Sequence, residues 1–318
     1  MNSILEKIKS AVISALPKAK KTTIWILKII IPVSLFVNLL QYFGVIAVIA
    51  QFLTPVFSHI GLPGESAIVF ITSIFLPLYA PIAIATTLSL GIREITILAV
   101  MCLISHNMIV ETAIQKKVGS NYFVMFTVRL VSSFIAAFFL NKLLPFHMQG
   151  AMAAEKAIHF QSIWQMLSTW AVSTFWLILK IWLIIAGLII LQNILKEFNL
   201  LDKISGIFAP FMGVMGLSKE SSFLWFVAHL LGLTYGSAVI LNSVDTKEIS
   251  LEDADLLNYH IAVNHSTLED TLLFVAIGVP AGWMIFPRFV LAIFIVWMVR
   301  LVHFLFKKRK EVVYIQNR

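Results

Sequence analysis

Gly61-Leu62-Pro63-Gly64-Glu65-Ser66 and Gly216-Leu217-Ser218-Lys219-Glu220-Ser221 stand 155 residues apart and share the pattern Gly-Leu-x-x-Glu-Ser. Each opens a long apolar run with helix breakers near its middle: Pro77 and Pro81 in 65–88, Gly232 and Gly236 in 221–242. The register extends backward, with Asn38 on Asn193 and Pro55 on Pro210. After a four-residue insertion the offset becomes 159, and His106, Thr112, Gly119 and Arg129 fall on His265, Thr271, Gly278 and Arg288. There Asn107 meets Ser266 and Glu111 meets Asp270. Apolar sequence is low in information and matches itself by chance. Polar residues held in register do not readily do so, and they imply two copies of one unit.

The composition says which solvent that unit lives in. Of 318 residues, 59% are hydrophobic and 13% charged, against roughly 45–50% apolar and about 25% charged in soluble domains. One soluble core cannot hide that excess, so most of the chain is solvated by lipid. A soluble enzyme, a disordered chain and a disulfide scaffold are excluded; Cys102 is the single cysteine. The net charge of +8 lies at the chain ends and beside apolar runs, which points to membrane orientation and not to nucleic acid.

The apolar runs are 24–50, 65–88, 95–115, 121–141, 169–194, 221–242, 257–280 and 282–306, each long enough to cross about 30 Å of hydrocarbon. Breakers in mid-span predict a broken or re-entrant helix in 65–88 and in 221–242. Residues 1–21 read as a basic amphipathic helix on the cytoplasmic face. Repeats follow at 22–145 and 165–306, joined by a polar linker over 146–164, and a basic cytoplasmic tail spans 307–318. If the broken runs dip and return, the repeats are inverted; if every run crosses, they are parallel. Lysine placement favours inversion, with both termini cytoplasmic. The fold class is therefore all-α integral membrane, built from two homologous repeats.

An ionisable group inside a span costs at least about 2.5–3.5 kcal/mol, so each one needs a reason. Run 95–115 carries His106, Asn107 and Glu111, and run 257–280 carries His265, Ser266, Glu269 and Asp270. At helical spacing Asn107 shares a face with Glu111, Ser266 with Asp270 and His265 with Glu269. Histidine with carboxylate suits a proton relay or a divalent cation, and the metal candidates are His106, Glu111, His265 and Asp270. Arg129 and Arg288 either lock onto these acids or face a cavity and take an anion. Glu65 and Glu220 are either helix N-terminal acids, with Ser66 and Ser221 helping at the cap, or ligands at half-helix starts. Tyr79 and Tyr235, near the breaks, either stack on a substrate or bond a loose carbonyl. Against all of this stands a structural reading in which the same groups only bond helix to helix.

The doubled Gly-Leu-x-x-Glu-Ser with a broken run behind it resembles the Gate domain. That domain is shared by bacterial nucleoside-recognition membrane proteins, concentrative nucleoside transporters, the membrane part of the ferrous iron permease and the spore maturation membrane proteins. Gly61–Ser66 is the closest local match, and the resemblance covers both repeats. It implies a transport-like fold in a bacterial inner membrane and leaves the substrate open. No GxxxxGK[ST] occurs, so GTP-coupled transport by this chain is not expected.

The expected function is gradient-driven transport of a small polar solute or ion, a divalent cation or a nucleoside-like molecule, at the repeat interface. The alternatives are a carrier of phosphorylated or other organic anions using Arg129 and Arg288, and a non-transport assembly protein similar to the spore maturation proteins. Neither enzyme activity nor a cofactor is expected beyond a coupling H+ or Na+. The expected partners are the bilayer, the substrate and, optionally, further copies of the chain, with no nucleic acid.

Overall fold

The computed structural model describes residues 2–148 and 160–316. Of the linker residues, His147 is exposed, whereas Gln149, Glu155, Lys156 and His159 lie outside the described residues. All regular structure described is helical. In chain order the helices are α1 Asn2–Tyr42, α2 Val45–Ser58, α3 Ser66–Phe75, α4 Tyr79–Ala85, α5 Ile92–Ser105, α6 Met108–Lys117 and α7 Tyr122–Leu143. They continue with α8 Ile163–Glu197, α9 Leu200–Phe208, α10 Ser222–Leu231, α11 Leu233–Asp245, α12 Leu251–Val263, α13 Thr267–Val275 and α14 Ala281–Gln316.

Among the described residues, five stretches are long and apolar enough to cross a membrane: Ile4–Tyr42, Ile92–Lys117 (α5 and α6 taken together), Tyr122–Leu143, Ile163–Glu197 and Ala281–Leu305. The other expected runs are divided into shorter pieces. Run 65–88 breaks between α3 and α4, where Leu76 turns extended ahead of Pro77, which has no amide to continue the ladder. Run 221–242 breaks between α10 and α11 at Gly232, with φ 87 and ψ 166. That backbone region is essentially closed to any residue with a Cβ. A Cβ there would also lie 3.2 Å from Ser266 Oγ. Gly232→Ala is therefore expected to destabilise the protein by about 1–3 kcal/mol, read as a fall in melting temperature in detergent; an unchanged melt would refute the strain.

Two expectations need correcting. The amphipathic segment 1–21 is not a separate element, because α1 runs unbroken from Asn2 to Tyr42, with Pro17 and Pro32 inside it. Nothing near residue 21 stops a helix: Lys20, Lys21, Thr22 and Thr23 carry no breaker. The segment packs on α8, with Asn193 Nδ2 donating to the Ala11 carbonyl at 3.2 Å, while Trp170 Nε1 donates to Ser34 Oγ at 3.0 Å. Those two contacts run in opposite chain directions, so α1 and α8 are antiparallel. The second correction is that the polar runs 95–115 and 257–280 are themselves broken, at Asn107 and Ser266, both in the left-handed region with φ 47 and 46.

The buried core of the first part centres on α5, whose residues from Ile95 to Ser105 are all buried. A smaller cluster around Trp225, Leu257 and Val296 occupies the later part. Large apolar side chains remain exposed outside, including Phe52, Phe123 and Phe286. Water would reject such a surface, and lipid accepts it.

Candidate functional site

A broken helix in an apolar interior leaves carbonyls and amides without partners, and each must be satisfied by protein. Here the breaks satisfy one another. The Asn107 amide donates to the Ser73 carbonyl at 2.7 Å and to that of Leu76 at 3.2 Å, at the C-terminal end of α3. At the corresponding offsets the Ser266 amide donates to the Ala228 carbonyl of α10 at 3.1 Å. The polar breaks thus cross the breaker-induced ones.

The carbonyl ends of α5 and α12 are met by two arginines, both fully buried. Arg129, from α7, donates Nε to the Ile104 carbonyl and Nη2 to the His106 carbonyl, each at 2.8 Å. Arg288, from α14, makes the same pair of bonds to Val263 at 3.2 Å and to His265 at 2.8 Å. A cation at a helix C-terminus also complements the dipole. Arg129 Nη2 in addition pairs with Glu111 Oε2 at 2.7 Å. Arg288 has no carboxylate partner among the described residues. The two arginines therefore act mainly as caps, leaving one unpartnered nitrogen each, Nη1.

His106 and His265 face each other with ring centroids 5.1 Å apart. His106 Nδ1 lies 3.2 Å from the Cys102 carbonyl and His265 Nδ1 lies 2.7 Å from that of Ile261. A carbonyl can only accept, so Nδ1 carries a proton in both rings, and Nε2 is an acceptor when the ring is neutral and an N–H donor when it is protonated. The Nε2 atoms converge on carboxylates. His106 Nε2 is 3.3 Å from Glu111 Oε1 and 3.7 Å from Asp270 Oδ2; His265 Nε2 is 3.3 Å from Glu111 Oε2. The reach is crossed: His106 meets the acid after the second break, and His265 the acid after the first. His106, His265 and Asp270 can bring one ligand atom each to within 4.8 Å of one another. All four groups are nearly sealed, at 5%, 6%, 0% and 7% exposure for His106, Glu111, His265 and Asp270.

The other expected site residues fall into three groups. Asn107 and Ser266 contribute backbone geometry, since neither side chain caps its helix. The expected shared faces of Asn107 with Glu111 and Ser266 with Asp270 do not apply across a break. Glu269 lies beside the cluster and accepts a hydrogen bond from the Tyr79 hydroxyl at 3.1 Å; Tyr79 also packs edge-on against Trp25. Tyr235, by contrast, is exposed beneath Lys196. Glu65 and Glu220 do not join the site. Glu65 precedes α3, whose ten residues at about 1.5 Å each place it roughly 15 Å from the break. Glu220 sits exposed in a short 3-10 turn. The acid-first, break-last order of these half-helices puts the acids at the wrong end.

Sequence reasoning passed over two buried histidines, His229 on α10 and His260 on α12, packed around Trp225. Each lies within an apolar run, and that alone marked them as groups needing a reason. Also unforeseen is the tie of Gln115 Nε2 to the Asn258 carbonyl at 3.0 Å, with Asp255 accepting from Ser120 at 2.5 Å. Ser250 caps α12 as its spacing with Asp253 implies, at 3.0 Å.

A known membrane protein resembles the chain over most of its length. The family model described as Gate, nucleoside recognition, matches residues 23–141, which contain His106, Glu111 and Arg129. The chain is also 30% identical over 291 residues to the membrane protein YvoD of Bacillus subtilis (strain 168), covering 90% of this chain and 93% of that one. No solved structure matches. With one relative aligned along nearly its whole length and the family model lying on its first helices, the chain belongs to the Gate family of membrane proteins.

Proposed function

We propose that this protein is a gradient-driven transporter, not an enzyme, moving a small polar solute or ion at the crossing of its broken helices. The substrate class is a divalent cation or a nucleoside-like molecule, with H+ or Na+ as coupling ion, in a bacterial cytoplasmic membrane with both termini cytoplasmic. One observation carries the reading: two imidazole Nε2 atoms lie 3.3–3.7 Å from carboxylate oxygens in a nearly sealed cluster. Lone pair against anion is repulsive unless a proton or metal cation lies between them. A buried cluster that favours a cation is the equipment of a coupling site.

The crossed reach of the two histidines, with antiparallel α1 and α8, supports inverted repeats related by a two-fold axis in the membrane plane. That arrangement places the cluster where alternating access needs it. The sealed state of the four side chains corresponds to an occluded conformation. It equally favours a second reading, a non-transport assembly protein whose polar groups are fully occupied in packing.

Flux separates the two. Proteoliposomes carrying wild-type protein are tested with a pH dye, with Zn2+ and Mn2+, and with radiolabelled uridine. Wild type is expected to pass at least one of these, and His265→Ala to lose it. Proton, metal and uridine flux all at the level of empty liposomes would leave the assembly reading standing.

A further inference from the structure

Gln115 on α6 and Asn258 on α12 are both fully buried, and each holds the other's backbone. Gln115 Nε2 donates to the Asn258 carbonyl at 3.0 Å. Asn258 Nδ2 donates to the Gln115 carbonyl at 3.5 Å and to Ser120 Oγ at 2.9 Å. Carbonyls only accept, so these bonds fix both amide orientations and leave two acceptors over. Gln115 Oε1 and Asn258 Oδ1 are buried with no donor among the described residues. Thr112 Oγ1, about one turn nearer the break on α6, has no partner either. Buried acceptors without donors cost stability, and bound water is what ordinarily supplies the missing donors.

These groups lie in a line. Glu111 of the central cluster and Gln115 are four apart on α6, share a face and are both buried. Beyond Asn258, Ser120 Oγ donates to Asp255 Oδ1 at 2.5 Å. Asp255 is half-buried, and Lys116 and Lys117, just ahead of Ser120, are exposed. Exposed lysines mark water and not hydrocarbon, so the line ends at an aqueous rim. Packing alone does not demand these residues, because the other repeat does without them. α5 and α12 begin 159 residues apart, at Ile92 and Leu251, so Gln115, Ser120, Asn258 and Asp255 fall on Phe274, Val279, Ala99 and Thr96. Those four are all buried, and α13 packs on α5 there. Three are apolar, and the Thr96 hydroxyl bonds the Ile92 carbonyl of its own helix at 2.6 Å. One repeat closes the crossing with hydrocarbon, and the other builds it from amides with oxygens left unpaired.

We propose that the crossing of α6 and α12 holds a file of bound water that joins the His106–Glu111 cluster to the rim at Asp255 and carries protons along it. Water donates to Gln115 Oε1, Asn258 Oδ1 and Thr112 Oγ1. Each water takes one proton and gives up another, so a proton enters at one end and leaves at the other with the file unchanged. Bonds of 2.9–3.5 Å tie α6, Ser120 and α12 together here; a hydrated metal ion or a nucleoside would have to break them, and a proton would not. The matching crossing of α5 and α13, with Ala99 and Phe274, is a dry plug. The water file stands on these contacts alone, whereas its use as a conduit rests on the transport reading above.

The test is water-edited solid-state NMR of the protein in lipid bilayers, which reads how fast magnetisation passes from water to each backbone amide. Build-up at Gln115 and Asn258 is expected to be several times faster than at Phe274 and Ala99, which are as deeply buried. Gln115→Phe combined with Asn258→Ala copies the dry pair into the wet crossing and should abolish the difference. It should also slow proton entry into proteoliposomes, read with a pH dye, by about tenfold. If that variant does not fold, Gln115→Met, which fills the space and removes the amide, takes its place. Wild-type build-up at 115 and 258 no faster than at 274 and 99, or build-up unchanged in the variant, overturns the water file. Undiminished proton flux in a dry variant overturns the conduit and leaves transport standing, as does wild type that passes Mn2+ or uridine but no protons. Wild type that passes none of the three overturns the transport reading and the conduit with it, and the NMR still decides the water file.

Discussion

Arg129→Met is expected to lose about 3–5 kcal/mol of stability, the range for breaking a buried ion pair on one side. Three acceptors lose their donor together: the carbonyls of Ile104 and His106 at the end of α5, and Glu111. Methionine fills the volume but donates nothing. Lysine does not rescue, because a single ammonium cannot reproduce the fork that reaches both carbonyls and the acid. Arg288→Met removes the matching two carbonyl bonds but strands no paired carboxylate, and it is expected to cost about 1–3 kcal/mol. The measurement is the fraction of monodisperse protein against temperature in detergent, for both variants side by side. Adding Glu111→Gln to Arg129→Met should recover part of the loss, since the stranded charge disappears. Equal costs for the two arginines, or no recovery in the double variant, would show that the ion pair contributes little.

The second large effect separates function from folding. Asp270→Asn is expected to keep the fold, because Asp270 Oδ2 has no hydrogen-bond partner among the described residues and the substitution is isosteric. The amide removes the anion that faces His106 Nε2. Flux is then expected to fall by about 100-fold, the equivalent of roughly 2.7 kcal/mol. Glu111→Gln should lose flux to a similar degree and stability as well, by about 1–2 kcal/mol, because a charge-assisted bond to Arg129 becomes a neutral one. The pair is read by proteoliposome flux and thermal melts on the same preparations. Asp270→Asn protein that melts like wild type and still transports would remove this carboxylate from the mechanism.

Much of this site was legible in the chain itself. Charged and imidazole groups inside apolar runs cannot face lipid, and that cost, together with their recurrence in both copies, selected His106, Glu111, Arg129, His265, Asp270 and Arg288. The register of 159 residues paired them. Pro77 and Gly232 marked two of the breaks, since proline takes an amide out of the helix ladder and glycine weakens a helix interior by about 1 kcal/mol while permitting a positive φ. The other two breaks were not legible, because neither Asn107 nor Ser266 is a breaker in isolation. Each is held in a left-handed conformation by an amide bond to a distant helix end, and a contact of that kind leaves no local mark. Glu65 and Glu220 misled for a related reason: a motif shows that a helix starts there, not which end of the helix reaches the centre.

Sequence alone, then, settled the solvent, the helical class and the identity of the costly residues, because burial energy and backbone chemistry act residue by residue. The tertiary structure decided which of them meet. His106 and Glu111, five apart, would point about 140° away from each other on an unbroken helix. Only the break folds one toward the other, and only the crossing with the second broken helix brings His265 and Asp270 against them. A long-range encounter of this kind depends on how whole helices pack, which no local stretch of residues encodes.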